Sequence, residues 1–293
     1  MHRFLLHNDE IRDAGDPVLS PGQVGLMNGW GIFSTIRVQD GVMFAWARHW
    51  ARMHRDAARM RVPFPDNAKW LEERLYRLIE KNQAANSTLR VVIVRNRGGM
   101  WEGPSERAFD TIAFTAPLKD WGEAVKLGIV PHARHAASEF AGTKYLSWSE
   151  NLARYERAHE QGFDEVVLLN ERGEVAECTS ANIFVVKGDQ VSTPPLSSGC
   201  LPGVTRALLL EEIHVPGLAI AERILFTKDL EAADEVFITS TTRDLMPVAS
   251  VAGLINGLKI GQGHPVRDRL QQAFSAYTSK YVAARAREVV KVR

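Results

Sequence analysis

Apolar and polar positions in the first third of the chain switch between two periods. In IRVQDGVMF, residues 36–44, two β-branched or aromatic runs flank Asp40-Gly41, the dipeptide best suited to a two-residue turn, and a hairpin is predicted there. From Trp46 to about Arg61 the positions Ala47, Trp50, Ala51, His54, Ala58 and Met60 fall roughly on helical spacing, with Arg48, Arg52, Arg55 and Arg59 between them. That pattern predicts an amphipathic helix with a basic, solvated face. A second helix is predicted over AKWLEERLYRLIEKN, followed by the strand TLRVVIVR, a Gly98-Gly99 loop and the strand TIAFTA.

Proline, charge and glycine in PLKDWG, residues 117–122, interrupt the pattern and mark a boundary between two compact units. Beyond it the chain reads as a strand VKLGIV ending near Val130, a helix from about Leu146 to Gln161 stopped by Gly162, and a strand EVVLLN. A Glu171-Arg172-Gly173 turn, the run VAECTSANIFVV, a helix after PGVTR, the strand EVFITS and a last helix from Val266 to about Arg287 follow. The expected organisation is a small N-terminal α/β domain at 1–117, a linker at 118–122 and a larger β-rich domain at 123–293. Strand-dense stretches broken by single helices predict class α+β rather than a regular βαβ array.

Composition narrows the partners. At 293 residues, 45% hydrophobic and 24% charged, the chain is ordinary for a globular protein of two domains. The 36 Lys and Arg nearly balance the 35 Asp and Glu, so no global field draws in nucleic acid or an anionic membrane, and a small-molecule substrate is expected. Two cysteines, Cys178 and Cys200, are too few for a disulfide framework and lack metal-site spacing; they fit a cytoplasmic location, with no metal expected. Neither a signal peptide nor an uncharged apolar stretch of membrane-spanning length is read from the sequence.

Four short segments carry candidate chemistry. Lys144, in AGTKYLSW, reads in isolation as a surface charge, but Gly142, Tyr145 and Leu146 around it suggest partial burial and an amine able to form an imine. Glu177 stands between Ala176 and Cys178 in a run that otherwise reads as a buried strand; it is either an outward-facing strand residue or a carboxylate kept for a ring nitrogen. In LPGVTRALLLEE, Pro202-Gly203 leads into a helix whose first free amides include Val204 and Thr205, a nest for a phosphate as well as an ordinary helix start. Ser240, Thr241 and Thr242 form a hydroxyl cluster after EVFI, and Arg52 offers a cation from the first domain. An amine, a ring-nitrogen partner and a phosphate nest are together what a pyridoxal 5'-phosphate (PLP) site needs. Such a site is expected between the domains.

The combination of Lys144, EVAECTSANIFVV, LPGVTR and FITSTTRDLMPV resembles the class-IV aminotransferase family, which includes branched-chain and D-amino-acid aminotransferases and 4-amino-4-deoxychorismate lyase. GWGIFSTIRVQDG and RHWARM extend the likeness over nearly the whole chain. The resemblance implies PLP fold type IV, a homodimer, Lys144 as the Schiff-base lysine, Glu177 at the pyridine nitrogen, and Arg52, Val204, Thr205 and Thr241, with Ser240 beside them, around the phosphate. Two positions depart from the branched-chain pattern. Phe33-Ser34-Thr35 stands where those enzymes read Phe-Glu-Gly, and Ser149 stands where they carry a tyrosine. Phe33-Ser34-Thr35 and VVIVRNRGG are nearer the lyase side.

The expected activity is transfer of an amino group between an amino acid and a 2-oxo acid. The alternatives are pyruvate-releasing cleavage of 4-amino-4-deoxychorismate and transamination of a D-amino acid or an (R)-amine. Arg95 and Arg97 are candidates for the substrate carboxylate, beside Thr35 and Thr242, and Trp30, Phe33, Met100 and Trp101 for an apolar pocket wall suited to a branched or aromatic side chain.

Overall fold

A computed structural model describes residues 1–100, 105–254 and 263–292. It divides into two compact units: Met1–Lys119 with Thr143–Trp148 and Ser279–Arg293, and Asp120–Gly142 with Ser149–Thr278. The division is not the linear one expected from the sequence, because a short segment around Lys144 and the end of the last helix group with the N-terminal part.

The first unit is built from β1 (Phe4–His7), β2 (Glu10–Asp13), α1 (Val24–Asn28), β3 (Gly31–Gln39), β4 (Val42–Met43), α2 (Trp46–Arg59), α3 (Ala68–Lys81), β5 (Ser87–Arg95) and β6 (Phe109–Ala116). Its six strands form an antiparallel sheet in the order β2-β1-β6-β5-β3-β4. The predicted hairpin forms: Asp40 and Gly41 both take positive φ, 49° and 76°, as a primed two-residue turn requires, and Gln39 pairs with Val42. Helix α3 opens with the Asn67 side chain accepting from the Trp70 N–H at 3.1 Å and buries Leu71, Leu75, Leu78 and Ile79 against the sheet core.

Helix α2 corrects the pattern reading. The positions expected to form its apolar face are largely outside, with Ala47, Ala51, His54 and Ala58 exposed, whereas Trp46, His49, Arg52, Met53, Asp56 and Ala57 are buried. Alanine and histidine are weak markers of a face. The residues at 49, 52 and 56 share one side of the helix by spacing, and that polar side is the buried one.

The second unit comprises β7 (Val125–Arg134), α4 (Ser149–Glu160), β8 (Glu165–Asn170), β9 (Val175–Cys178), β10 (Asn182–Lys187), β11 (Gln190–Thr193), α5 (Val204–Glu211), β12 (Ala219–Glu222), α6 (Thr227–Glu231), β13 (Glu235–Ser240), β14 (Asp244–Val251) and most of α7 (Pro265–Val292). Eight strands form a mixed sheet, β12-β11-β10-β13-β14-β7-β8-β9, parallel at β11–β12, β14–β7 and β7–β8. Its core runs through Leu127, Val167, Val175, Ile183, Val236 and Val248. The run VAECTSANIFVV is two strands rather than one. The Glu165 carboxylate accepts from the Thr179 N–H at 3.1 Å, from the Thr179 hydroxyl and from the Ser180 hydroxyl at 2.7 Å, and the Cys178 N–H meets the Ala181 carbonyl at 2.8 Å, so the chain turns between β9 and β10. Among the described residues no helix is long and apolar enough to cross a membrane, and no group of three or more His, Cys, Asp or Glu could hold a metal ion.

Candidate active site

In the first unit the site begins at an open strand edge. Strand β4 covers only Val38 and Gln39 of β3, and residues 144–146 pair with the uncovered end: Phe33 N–H donates to the Lys144 carbonyl at 3.1 Å and Leu146 N–H to the Gly31 carbonyl at 2.9 Å, with Ile32 opposite Tyr145. This extended pairing is why helix α4 starts at Ser149 and not near Leu146. Facing residues of an antiparallel pair project to the same side. Lys144 accordingly lies along Phe33, with its Nζ 4.4 Å from that ring centroid and 5.8 Å from the Trp148 ring. Phe33 and Trp148 meet edge to face at 6.0 Å.

On the opposite face of β3 the polar side of α2 forms a network. Arg52 Nη2 donates to Ser34 Oγ at 2.8 Å, and Ser34 Oγ lies 2.8 Å from His49 Nδ1. Ser34 Oγ has one proton and two lone pairs, so it can accept from Arg52 and either donate to His49 Nδ1 or accept from it, according to the His49 tautomer. Burial, reinforced by the Arg52 and Lys144 cations, holds His49 well below the usual histidine range, so the ring is neutral near pH 7. Burial also lowers Arg52 to about 10, opposed by Asp56, which leaves it a cation. The Arg52 Nε–H is buried without a hydrogen-bond partner among the described residues. Asp56 accepts from the Lys144 main-chain N–H at 3.2 Å and from Arg55 Nε at 3.1 Å.

The Phe33 face carries one cation that sequence reasoning missed. Thr35 pairs with Arg90 across β3 and β5, and the Arg90 guanidinium stacks 4.1 Å from the Phe33 ring centroid. No hydrogen bond to a described residue engages that guanidinium, which is half-buried and whose pKa burial lowers. Its signal was an arginine in the middle of the apolar run TLRVVIVR. The arginines singled out from the sequence sit differently: Arg95 donates to the carbonyls of Arg97, at 2.9 Å, and Arg61, and stacks on Trp30 at 4.1 Å, while Arg97 is exposed. Trp30 donates to the Met60 carbonyl at 2.8 Å and packs on the core of the unit. Met100 is 95% exposed, and Trp101 lies outside the described residues.

In the second unit Glu177 is neither solvated nor loose. Its side chain is 12% exposed, Oε1 accepts from Arg134 Nε at 3.0 Å, and Oε2 accepts from the Leu201 N–H at 3.0 Å. Each oxygen retains a second lone pair. Asn182 Nδ2 donates to the Leu201 carbonyl at 2.8 Å, so the chain entering α5 is held from both sides. Gly203 caps α5; a Cβ there would overlap the Asn182 side chain. Val204 and Thr205, both buried, open the helix with first-turn amides that lack acceptors within it. Ser240, Thr241 and Thr242 lie at the turn into β14, with Ser240 Oγ 3.5 Å from Thr242 Oγ1. The turn is anchored by Arg243, which donates to Ser180 Oγ at 2.8 Å, pairs with Glu165 at 3.4 Å and stacks 3.8 Å from the Trp121 ring. Arg134 and Arg243, like Asp56 and Arg90, were not singled out from the sequence.

An antiparallel sheet with a lysine at its edge and a mixed sheet with a tethered carboxylate beside a helix N-terminus define an α+β enzyme of PLP fold type IV. The crystal structure of Escherichia coli branched-chain amino acid aminotransferase superposes with a TM-score of 0.86 at 27% identity, covering 95% of each chain. The branched-chain-amino-acid aminotransferase of E. coli strain K12 is 31% identical, with 92% of this chain and 91% of the relative aligned. D-alanine aminotransferase of Bacillus licheniformis is 28% identical over 95% of this chain and 99% of its own. Residues 31–251 match the model of the amino-transferase class IV family, and the chain belongs to that family.

It is a PLP-dependent aminotransferase, acting on amino acids and keto acids. The residues present fit the cofactor: a buried guanidinium N–H without a partner, a helix start where only glycine leaves room, and a carboxylate with lone pairs to spare.

Proposed function

We propose that this aminotransferase moves the amino group of an apolar, branched-chain-type amino acid to a 2-oxo acid, with Lys144 as the imine-forming residue. The observation that carries the reading is the Phe33 ring, backed by Trp148, with Lys144 Nζ at 4.4 Å and the Arg90 guanidinium at 4.1 Å. An apolar wall with one amine and one otherwise unengaged cation suits an amino acid whose carboxylate pairs with Arg90 while its side chain remains among apolar groups. The E. coli relative at 31% identity is a branched-chain-amino-acid aminotransferase, which supports the same substrate class.

Bound PLP supplies an electron sink for the carbanion formed at the substrate Cα. Lys144 contributes the amine that holds the cofactor and then moves the proton at Cα. Glu177, oriented by Arg134 and the Leu201 N–H, accepts from the ring nitrogen. The Val204 and Thr205 amides, Arg52 Nε, Ser240 and Thr241 bind the phosphate, and Thr35 and Thr242 border the substrate. For the carboxylate we assign Arg90 ahead of Arg95, whose guanidinium already donates to the Arg97 and Arg61 carbonyls, and ahead of Arg97, which is exposed rather than set against the Phe33 ring.

The test is a half-reaction. Addition of L-leucine without a keto acid should convert the lysine-bound cofactor band to that of pyridoxamine phosphate, and borohydride reduction of the untreated holoenzyme should leave the label on Lys144. In the same assay Arg90→Leu should raise the half-saturating donor concentration at least roughly tenfold. A label on another residue, or no conversion with any L- or D-amino acid, would sink the assignment. A second reading, cleavage of 4-amino-4-deoxychorismate, is favoured by Thr35 beside Arg90 on the Phe33 face; pyruvate release with return of the starting band would select it. Conversion by D-alanine instead of L-leucine would select D-amino-acid transfer. The protein is further assigned as a cytoplasmic homodimer. Buried free thiols at Cys178 and Cys200 and apolar residues exposed on α1, Leu26 and Met27, support this, and light scattering and cell fractionation test it.

A further inference from the structure

Lys144 is fixed through its main chain, and one of the two clamps is a buried carboxylate. The ladder between residues 144–146 and β3 uses the Lys144 carbonyl, which accepts from Phe33. The Lys144 N–H, which a continuing antiparallel ladder would direct at the Phe33 carbonyl, goes instead to Asp56 Oδ2 at 3.2 Å. We propose that Asp56 is a positioning residue for Lys144: it ends the strand pairing at the lysine and fixes the main chain from which Nζ reaches the Phe33 ring. The proposal rests on the assignment of Lys144 made above.

Three features support it. Asp56 is 1% exposed, and a carboxylate is kept out of water only where its oxygens are engaged; Oδ2 engages Lys144, 88 residues away in sequence, and Oδ1 engages Arg55. Asp56 is the one acidic residue in WARHWARMHRDAAR, so the helix that offers Arg52 to the site also reaches back to the lysine. The clamps on the N–H and the carbonyl come from different elements, α2 and β3, so each fixes a different side of the lysine main chain.

The experiment uses the holoenzyme and four substitutions at saturating cofactor. Asp56→Ala should lower kcat roughly tenfold while KM for the amino donor stays within about twofold, since a displaced amine affects proton transfer more than substrate binding. The apparent cofactor Kd, read from the lysine-bound band during titration of the apoenzyme, should rise by a similar factor. Asp56→Asn, whose amide oxygen accepts the same N–H, should recover most of both losses; Asp56→Ser, too short to reach, should behave as Asp56→Ala and stands in for it if alanine prevents folding. Arg55→Met, which leaves the acceptor in place, should keep kcat within about twofold of the unmodified enzyme.

Equal kcat for asparagine and the shorter variants, unchanged kcat in all of them, or a tenfold loss in Arg55→Met would overturn the proposal. Borohydride labelling of the unmodified enzyme separates the two levels: label on Lys144 with indifferent Asp56 variants rejects the clamp alone, whereas label elsewhere rejects the lysine assignment.

Discussion

Helices α2 and α3 are each fourteen residues long and both bury one face in the first unit, yet the faces have opposite chemistry. Helix α3 buries Leu71, Leu75, Leu78 and Ile79, an apolar stripe packed in the core of that unit. Helix α2 buries Trp46, Met53 and Ala57 but sets His49, Arg52 and Asp56 among them. Polar groups cost stability when taken from water and recover it only where every atom finds a partner. On α2 the account is incomplete, since His49 Nε2 and Arg52 Nε have none among the described residues. The difference separates a helix that stabilises from one whose buried polar atoms are left open, which is what the proposed role of Arg52 at the cofactor requires.

Substitution on each helix should therefore move different observables. The largest effect is expected for Leu75→Ala, which removes fully buried apolar volume; urea denaturation should show a loss of about 3 kcal/mol with turnover per folded molecule unchanged. Arg52→Met should invert that outcome. Stability should stay within about 1 kcal/mol, because a buried cation is exchanged for an apolar group of similar length, while PLP affinity falls by about 2 kcal/mol, roughly thirtyfold by absorbance titration. If Arg52→Met destabilised the protein as much as Leu75→Ala and left PLP affinity intact, the two faces would not differ as described.

A smaller effect comes with pH. His49 is held below its usual value of 6.5 in the fold, so below about pH 6.5 the unfolded chain binds a proton that the folded chain does not. This residue's contribution is constant above that pH and is lost on acidification, by up to about 1.4 kcal/mol per pH unit. Denaturation curves between pH 5 and 7.5 should show the slope, and His49→Gln should flatten it.

Much of the scaffold was legible because it is local. Asp40-Gly41 requires a primed turn, the leucines of α3 repeat at helical spacing, and EVVLLN and EVFITS are strands by composition. The elements missed, among them β1, β2, β11 and β12, are four residues each and carry no period to read. The buried face of α2 was misread because its polar side is the one covered. Trp30 and Arg95 were put forward as site residues on type and position alone, and their donors go to main-chain carbonyls.

The order of residues by itself determined that an amine, a carboxylate and a helix start occur in the family's spacing, since those are properties of Lys144, Glu177 and Val204 where they stand. Tertiary structure alone decided which groups surround them. Asp56 reaches the Lys144 N–H, Arg90 stacks on Phe33, and Arg134 meets Glu177, because strand pairing and helix burial bring together positions far apart in sequence. Side-chain hydrogen bonds and ring contacts act over a few ångströms, and only the folded chain sets those distances.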